Sequence, residues 1–389
     1  MAMARIYHRP ALAAEMAEQL IHPKALDEGL RSGLFVSGVR RTGKTTFLIA
    51  DLIPALEVRG AIVIYVDLWS DVQANPSQLL RQAIQATLRE LESPAAAIGS
   101  RIKKIAALEV ASHGLKFKFA LDKLGEVDGV TLAYALTQVV DLAQTDVVLI
   151  VDEVQHALSS DNGSEMLFAL KAARDAINAR PTTPGHFLFI GTGSHRALVN
   201  ELTSRRNQAF AGATSVGYPV LNGEYVEYVL RRLAEESPEG LPTLAAASRA
   251  FKLLGHRPEE LMKALRLLRQ DGSSEAPAEQ RLEWIARTLR MSAADVEITR
   301  IEQLGGLAVA VFDRIANSQA GARGLFSADA AAAYSKAIGR EVRIEEIQPV
   351  VNTLVSENLI LRKSHGVYTV SDPFVPEAWQ ERKRLQEPP

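Results

Sequence analysis

Cysteine is absent from all 389 residues, so disulfides, thiolate nucleophiles and cysteine-ligated zinc are excluded. Histidine is scarce: eight are present, and none stands at a metal spacing such as H-E-x-x-H, so each reads as a surface or core side chain. No stretch approaches the about eighteen apolar residues that a membrane-spanning helix needs. The opening MAMARIYHRPALAAEMAEQL carries Arg5, Arg9 and Glu15 and has no continuous apolar centre, which argues against a signal peptide. These absences lead us to expect a cytoplasmic protein without a membrane partner. An excess of charge is missing too. With 44 basic and 46 acidic residues the net charge is −2, too little for general attraction to nucleic acid or anionic lipid, so any such binding needs a local patch. What remains, 47 % apolar and 23 % charged residues, is a globular composition, and the length suits two or three domains with cores of their own.

The string GLFVSGVRRTGKTTFLIADL, residues 33 to 52, supplies the first chemistry. Gly38 and Gly43 bracket Val39, Arg40, Arg41 and Thr42, and Lys44, Thr45 and Thr46 follow, which satisfies the G-x-x-x-x-G-K-[ST] phosphate-binding pattern. Leu34 to Ser37 reads as a short buried strand, and Phe47, Leu48, Leu52 and Leu56 recur at helical spacing after the loop. Glycines let the backbone curl so that successive N–H groups face the phosphates, and the helix N-terminus adds partial positive charge. Residues 38 to 46 are therefore expected to hold ATP, with Lys44 reaching the terminal phosphates and Thr45 a magnesium ion.

A second acidic element is needed for hydrolysis, and DVVLIVDEVQHAL, residues 146 to 158, fits it. Val147 to Val151 is an unbroken apolar run, as in a strand buried on both faces of a parallel sheet, and Asp152 and Glu153 close it. The expected roles are magnesium ligation, usually through water, for Asp152 and polarisation of the attacking water for Glu153. AIVIYVDL (61 to 68) and HFLFIGTGS (186 to 194) read as two more buried strands, with Asp67 and Thr192 or Ser194 at the C-terminal ends where ligands of open α/β sheets collect.

These residues together resemble the AAA+ ATPases, in the prokaryotic branch near the origin-recognition initiators and the signal-transducing archaeal-type ATPases. The resemblance rests on GVRRTGKTTFL, VVLIVDEVQ and FLFIGTGSHR, continues through ELTSRRNQAF and LLGHRPEELMKAL, and covers about two thirds of the chain. It implies a sensor-1 residue that orients the lytic water, for which Thr192 and Ser194 are both candidates. It implies an arginine finger reaching a neighbouring subunit's phosphate, which nominates Arg205 and Arg206, and a sensor-2 arginine in a lid helix, which nominates Arg257. A solvated helix face is the competing reading for each arginine. Lys44 and Asp152 stand 108 residues apart, more than one strand and helix require. The excess lies in a segment where GLKFKFAL alternates basic and apolar residues and where Arg101, Lys103, Lys104, Lys116 and Lys118 cluster, read here as an edge strand guarded by lysines rather than a phosphate-tracking patch.

Helical texture follows: GEYVEYVLRRLAEE, TLAAASRAFKLLG and RPEELMKALRLLRQ read as a lid, and QDGSSEAPAEQ (270 to 280) as a loop or hinge. GLAVAVFDRIAN, SADAAAAYSKAIG and RIEEIQPVVNTLVSENL read as three helices, and LILRKSHGVYTV as a hairpin turning at Ser364 to Gly366, which is the order of a winged helix-turn-helix. The expected fold is thus α/β, a P-loop parallel sheet flanked by helices, then an α-helical lid and a winged helix, with boundaries 1–218, 219–303 and 304–389. The function it implies is an ATP-binding and hydrolysing, magnesium-dependent switch that couples nucleotide state to homo-oligomerisation and to DNA association through the winged helix. The alternative is a signal-transducing ATPase whose winged helix docks a protein partner. The charges leave that choice open: from Gly305 to Pro389 ten Lys or Arg face ten Asp or Glu, and the third helix sets Arg343 against Glu345, Glu346 and Glu357, while Arg362, Lys363 and His365 gather at the wing.

Overall fold

The computed structural model describes residues 6–70, 75–92, 129–159, 161–194, 196–237, 239–270, 276–318, 321–364, 366–372 and 374–386. The expected strand GLKFKFAL and the basic cluster from Arg101 to Lys118 lie outside the described residues. The chain divides into two compact units, Met1–Val220 and Leu221–Pro389. Among the described residues, no helix is long and apolar enough to cross a membrane.

In the first unit, α1 (Pro10–Ile21) precedes β1 (Leu34–Ser37). After the phosphate loop, α2 (Lys44–Phe47) runs through a π turn (Leu48–Leu52) into α3 (Ile53–Val58). Then come β2 (Ile62–Asp67), α4 (Pro76–Glu92), α5 (Gly129–Ala143), β3 (Val147–Asp152), α6 (Asp161–Asn178), β4 (Phe187–Gly193), α7 (Arg196–Ser204) and β5 (Thr214–Gly217). The five strands pair in the order β2-β3-β4-β1-β5, and every pairing is parallel.

Strand alternation assigns the two cores. Phe35, Ile64, Val66, Val147, Leu149, Val151, Phe187 and Phe189 face α4, α5, α6 and α7, where they meet Leu80, Leu136, Leu170 and Val199. Their alternates Leu34, Val36, Val148, Ile150, Leu188 and Ile190 face α1 and the helix after the loop, meeting Ala17, Phe47, Leu52 and Leu56. Both faces are covered, which is why β1, β3 and β4 read as continuous apolar runs. Parallel register then brings the C-terminal ends together, with Asp67 beside Asp152 and Ser37 beside Gly193. Strand β5, with no counterpart in the sequence reading, lies at the edge and leaves three of its four residues exposed, so ATSVG carries no apolar signal.

The second unit opens with α8 (Gly223–Glu236), α9 (Leu244–Leu253) and α10 (Pro258–Gln270). The 26-residue α11 (Ala278–Gln303) follows. Near its start α11 buries Leu282, Ile285 and Ala286, while Ala294, Ile298 and Ile301 near its end join the core of the elements that follow. Those are α12 (Gly306–Ala316), β6 (Ala322–Arg323), α13 (Ala328–Ile338), α14 (Ile344–Ser356), β7 (Ile360–Ser364) and β8 (Val367–Val370). The strands form an antiparallel sheet in the order β6-β8-β7, so three helices and a hairpin give the winged-helix topology. A final helix, α15 (Val375–Gln386), seats Trp379 edge-on to Phe312 at 5.0 Å and bonds its Nε1 to Asp313 Oδ1 at 2.8 Å.

Asp372, just past β8, ties this unit together. It accepts from Arg290 of α11 and, at 3.4 Å, from Arg257 at the start of α10, while the Arg290 guanidinium lies 3.8 Å over the Phe374 ring. Arg290 and Asp372 side chains are only 9 % and 10 % exposed, so removing the carboxylate leaves a buried guanidinium without its counter-charge. Asp372→Asn is expected to destabilise the second unit by about 3 kcal/mol or more in urea denaturation. A loss under ~1 kcal/mol would mean that the pair is not buried as described.

Candidate nucleotide site

Three chain segments meet at the C-terminal edge of the sheet: the loop after β1, the end of β3 and the end of β4. In the loop, Arg41 and Gly43 take left-handed backbone conformations, with φ of 64° and 89°. The buried Thr42 closes the turn by donating from Oγ1 to the Val39 carbonyl at 2.8 Å. Gly38 N–H bonds the Gly193 carbonyl at 3.0 Å, and Tyr218 N–H bonds the Ser37 carbonyl at 2.7 Å, so the loop's base is fastened to both flanking strands.

Lys44 is the centre of the charge cluster. Its Nζ lies 3.0 Å from Asp152 Oδ1 and 3.3 Å from Glu153 Oε1, with side-chain exposure of 5 % for Lys44 and 1 % for Asp152. Thr45 Oγ1 donates to Asp152 Oδ2 at 2.7 Å, Tyr65 OH reaches the same oxygen at 3.3 Å, and Thr192 Oγ1 donates to Oδ1. Glu153 has φ of 54°. Its Oε2 receives three donors: Ser194 N–H at 3.0 Å, Ser194 Oγ at 2.7 Å and Gln155 Nε2.

Burial alone would raise the Asp152 carboxyl, but the Lys44 charge and bonds from Thr192, Thr45 and Lys44 outweigh it and hold the group below its ordinary value. Glu153 follows the same balance: burial pushes it up, and Lys44, Gln155 and Ser194 pull it lower overall. Tyr65 moves the other way, since burial and the neighbouring Asp152 charge both disfavour a phenolate, and it stays a neutral donor. At neutral pH both acids are therefore carboxylates.

The structure brings together the loop residues 38 to 46, Asp152, Glu153, Thr192 and Ser194. The two sensor candidates divide the acids between them, Thr192 on Asp152 and Ser194 on Glu153. Arg205 and Arg206 are exposed just beyond α7, with Arg205 ion-paired to Glu201 one turn back. Arg257 belongs to the second unit and pairs with Asp372. Sequence reasoning missed Gln155 and Tyr65. Only the position of Gln155, two residues after Glu153, hinted at it. It also missed a strap on the helix after the loop: His8 Nδ1 and Arg9 N–H hold the buried Asp51 at 2.7 and 3.0 Å, and Arg9 Nη1 donates to Tyr218 OH at 3.2 Å.

Gly193, the last residue of β4, lies against Gln155. A Cβ there would fall well inside contact distance of Gln155 Oε1 and 2.6 Å from Val199 Cγ2. Gly193→Ala is expected to cost about 1–3 kcal/mol in a denaturant melt, as an overpacked side chain displaces Gln155. An unchanged melt would show that Gln155 does not lie against the strand.

With this geometry in place, comparison with known proteins gives three findings. Residues 28–199 match the family described as AAA domain. No curated protein matches the sequence. Among solved structures, the chain is similar to a Walker-type ATPase of Pyrococcus abyssi, with 19 % identity, a TM-score of 0.56 and coverage of 96 % of each chain, a likeness of fold. It also aligns with the ORC2 protein of Aeropyrum pernix, solved as ADPNP–ADP complexes, at 14 % identity and a TM-score of 0.44 over 98 % of this chain and 96 % of that one. The ORC1 protein of Aeropyrum pernix, solved in complex with DNA, aligns at 12 % identity and a TM-score of 0.45 over 98 % and 94 %. The phosphate loop, the acidic end of β3 and the parallel sheet agree with the family match over residues 28–199, and in that part the chain is similar to AAA-type P-loop ATPase domains.

Proposed function

We propose that the protein binds ATP and hydrolyses it with magnesium, as a switch whose nucleotide state governs self-association and attachment to DNA. The observation that carries the ATPase reading is the gathering of Lys44, Thr45, Asp152 and Glu153 from loop and strand end into one buried cluster. In the resting geometry Lys44 pairs with both acids. A triphosphate in the loop would draw Lys44 to its terminal phosphates and free Glu153 to act on water.

The donor set suits magnesium. Thr45 Oγ1 and an Asp152 oxygen stand 2.7 Å apart and are hard ligands. Among the described residues no group of three His, Asp or Glu side chains gathers to make a cage, so phosphates and water would complete the shell, as this ion prefers. Bound magnesium supplies charge neutralisation on the phosphate oxygens. Thr192 holds Asp152 in place for it, and Ser194 with Gln155 aims Glu153. We assign Arg205 or Arg206 to the phosphate of a neighbouring subunit and Arg257 to the sensor-2 role.

Lys44→Ala is expected to abolish ATP binding in a calorimetric titration. Glu153→Gln should keep binding and lose hydrolysis by a factor of about a hundred or more. Equal ATP affinity in Lys44→Ala and wild type would remove the ATPase reading.

For the winged helix, the disposition of charge favours DNA over a protein partner. Two of the three carboxylates on or beside α14 are neutralised, Glu346 by Arg340 at 2.9 Å and Glu357 by Arg300. The face left to solvent carries Glu345 along with Gln348, Asn352, Thr353 and Ser356, whose amides and hydroxyls are suited to base edges. Phosphate contacts would come from the wing sequence around Arg362 and Lys363. With no net positive charge in the domain, binding should be weak, salt-sensitive and dependent on several subunits. Fluorescence anisotropy with short duplexes and ATP is expected to show affinity falling steeply as salt is raised, and Arg362→Ala with Lys363→Ala to weaken binding to all sequences alike. Absence of DNA binding by the ATP-bound protein at low salt would favour the protein-docking reading.

A further inference from the structure

Arg40 stands in the middle of the phosphate loop, yet its side chain engages the ends of the neighbouring strands. Its Nε donates to Ser194 Oγ at 3.2 Å, and its guanidinium carbon lies 4.3 Å over the Trp69 ring. Trp69 follows β2, is held by its backbone N–H on Asp67 Oδ1 at 2.8 Å, and meets the His156 ring edge-on at 4.4 Å. The loop and the ends of β2, β3 and β4 thus converge on one guanidinium.

Hydrogen-bond polarity gives this convergence a direction. A guanidinium only donates, so Ser194 Oγ is the acceptor toward Arg40. The serine hydroxyl has a single hydrogen, and it points to Glu153 Oε2, 2.7 Å away. Without Arg40 the hydroxyl is free to rotate and spend that hydrogen elsewhere. A planar guanidinium can lie on an indole and donate within its plane at once, which an ammonium cannot.

We propose that Arg40 is a positioning residue for ATP hydrolysis: it locks the Ser194 hydroxyl as a donor to Glu153, and Trp69 is the platform that holds it there. The inference rests on the ATPase reading above and adds a route by which the loop orients the base. It requires Arg40 to act through Ser194 rather than on phosphate.

The test combines steady-state kinetics, nucleotide titration and the emission of Trp69, isolated by subtracting the spectrum of Trp69→Phe. Arg40→Ala should lower kcat by about ten- to a hundredfold and leave ATP affinity within about twofold of wild type. Arg40→Ala combined with Ser194→Ala should be no slower than Ser194→Ala alone, because both remove one device. Arg40→Lys should remain slow. In the nucleotide-free protein, Arg40→Ala should shift the Trp69 emission. Arg40 and Trp69 are both exposed, and thermal melts are expected to confirm that the variants fold. Loss of affinity with unchanged kcat would make Arg40 a phosphate ligand and overturn the proposal, as would additive losses in the double variant, rescue by Lys or an unmoved Trp69 emission. A wild-type protein without ATP hydrolysis would overturn the ATPase reading and this role with it, while the emission still reports separately whether Arg40 sits on Trp69.

Discussion

One ammonium group, Lys44 Nζ, stands between two carboxylates at the end of β3, and the rest of the site is arranged around that contact. Two buried acids next to each other in sequence repel, and burial raises the cost of ionising either. Lys44 offsets both effects, and hydrogen bonds from Thr45, Thr192, Ser194 and Gln155 supply the remainder. A triphosphate would compete for the same ammonium, so its entry would redistribute charge through the whole cluster.

The sheet makes the cluster possible. Parallel pairing in register places the ends of β1, β2, β3 and β4 at one edge, and covering both faces with helices fixes those ends against a rigid core. The reactive groups stand at strand ends and at the start of α2, and the loop between is tied to a strand at its base, as Gly38 is to Gly193. Glu153 sits in the left-handed region, a conformation that surrounding structure must impose on a non-glycine residue, and the three donors on its Oε2 help impose it. The second unit repeats the theme at Asp372, where two consecutive helices share one buried carboxylate from a distant part of the chain.

Much of the fold was legible because it is locally encoded. Buried parallel strands are apolar throughout, so 34–37, 146–153 and 186–194 announce themselves; 61–68 was read as buried too, but β2 lies at the sheet's edge and is half-buried, and the wing is marked by its turn. Strand β5 was not legible, since an exposed edge strand of four residues has no apolar pattern. Helix α11 was missed because its apolar residues serve different cores at its two ends and follow no single stripe along its length. Helix α15 was missed as well, a short polar run whose anchor is one tryptophan.

The sequence by itself determined the phosphate-loop pattern, because its glycines, lysine and threonine lie in one continuous stretch of chain. It also determined that acids would close a buried strand. Only the tertiary structure decided which polar group serves which acid. Thr192 lies in β4 and Ser194 just past its end, two positions apart, so spacing alone treats them alike, yet one donates to Asp152 and the other to Glu153. Arg40 reaches Ser194 across 154 positions, and Arg257 meets Asp372 across 115. Hydrogen bonds and ion pairs are short-ranged and directional, and over such separations only the packing of strands and helices brings donor and acceptor within reach.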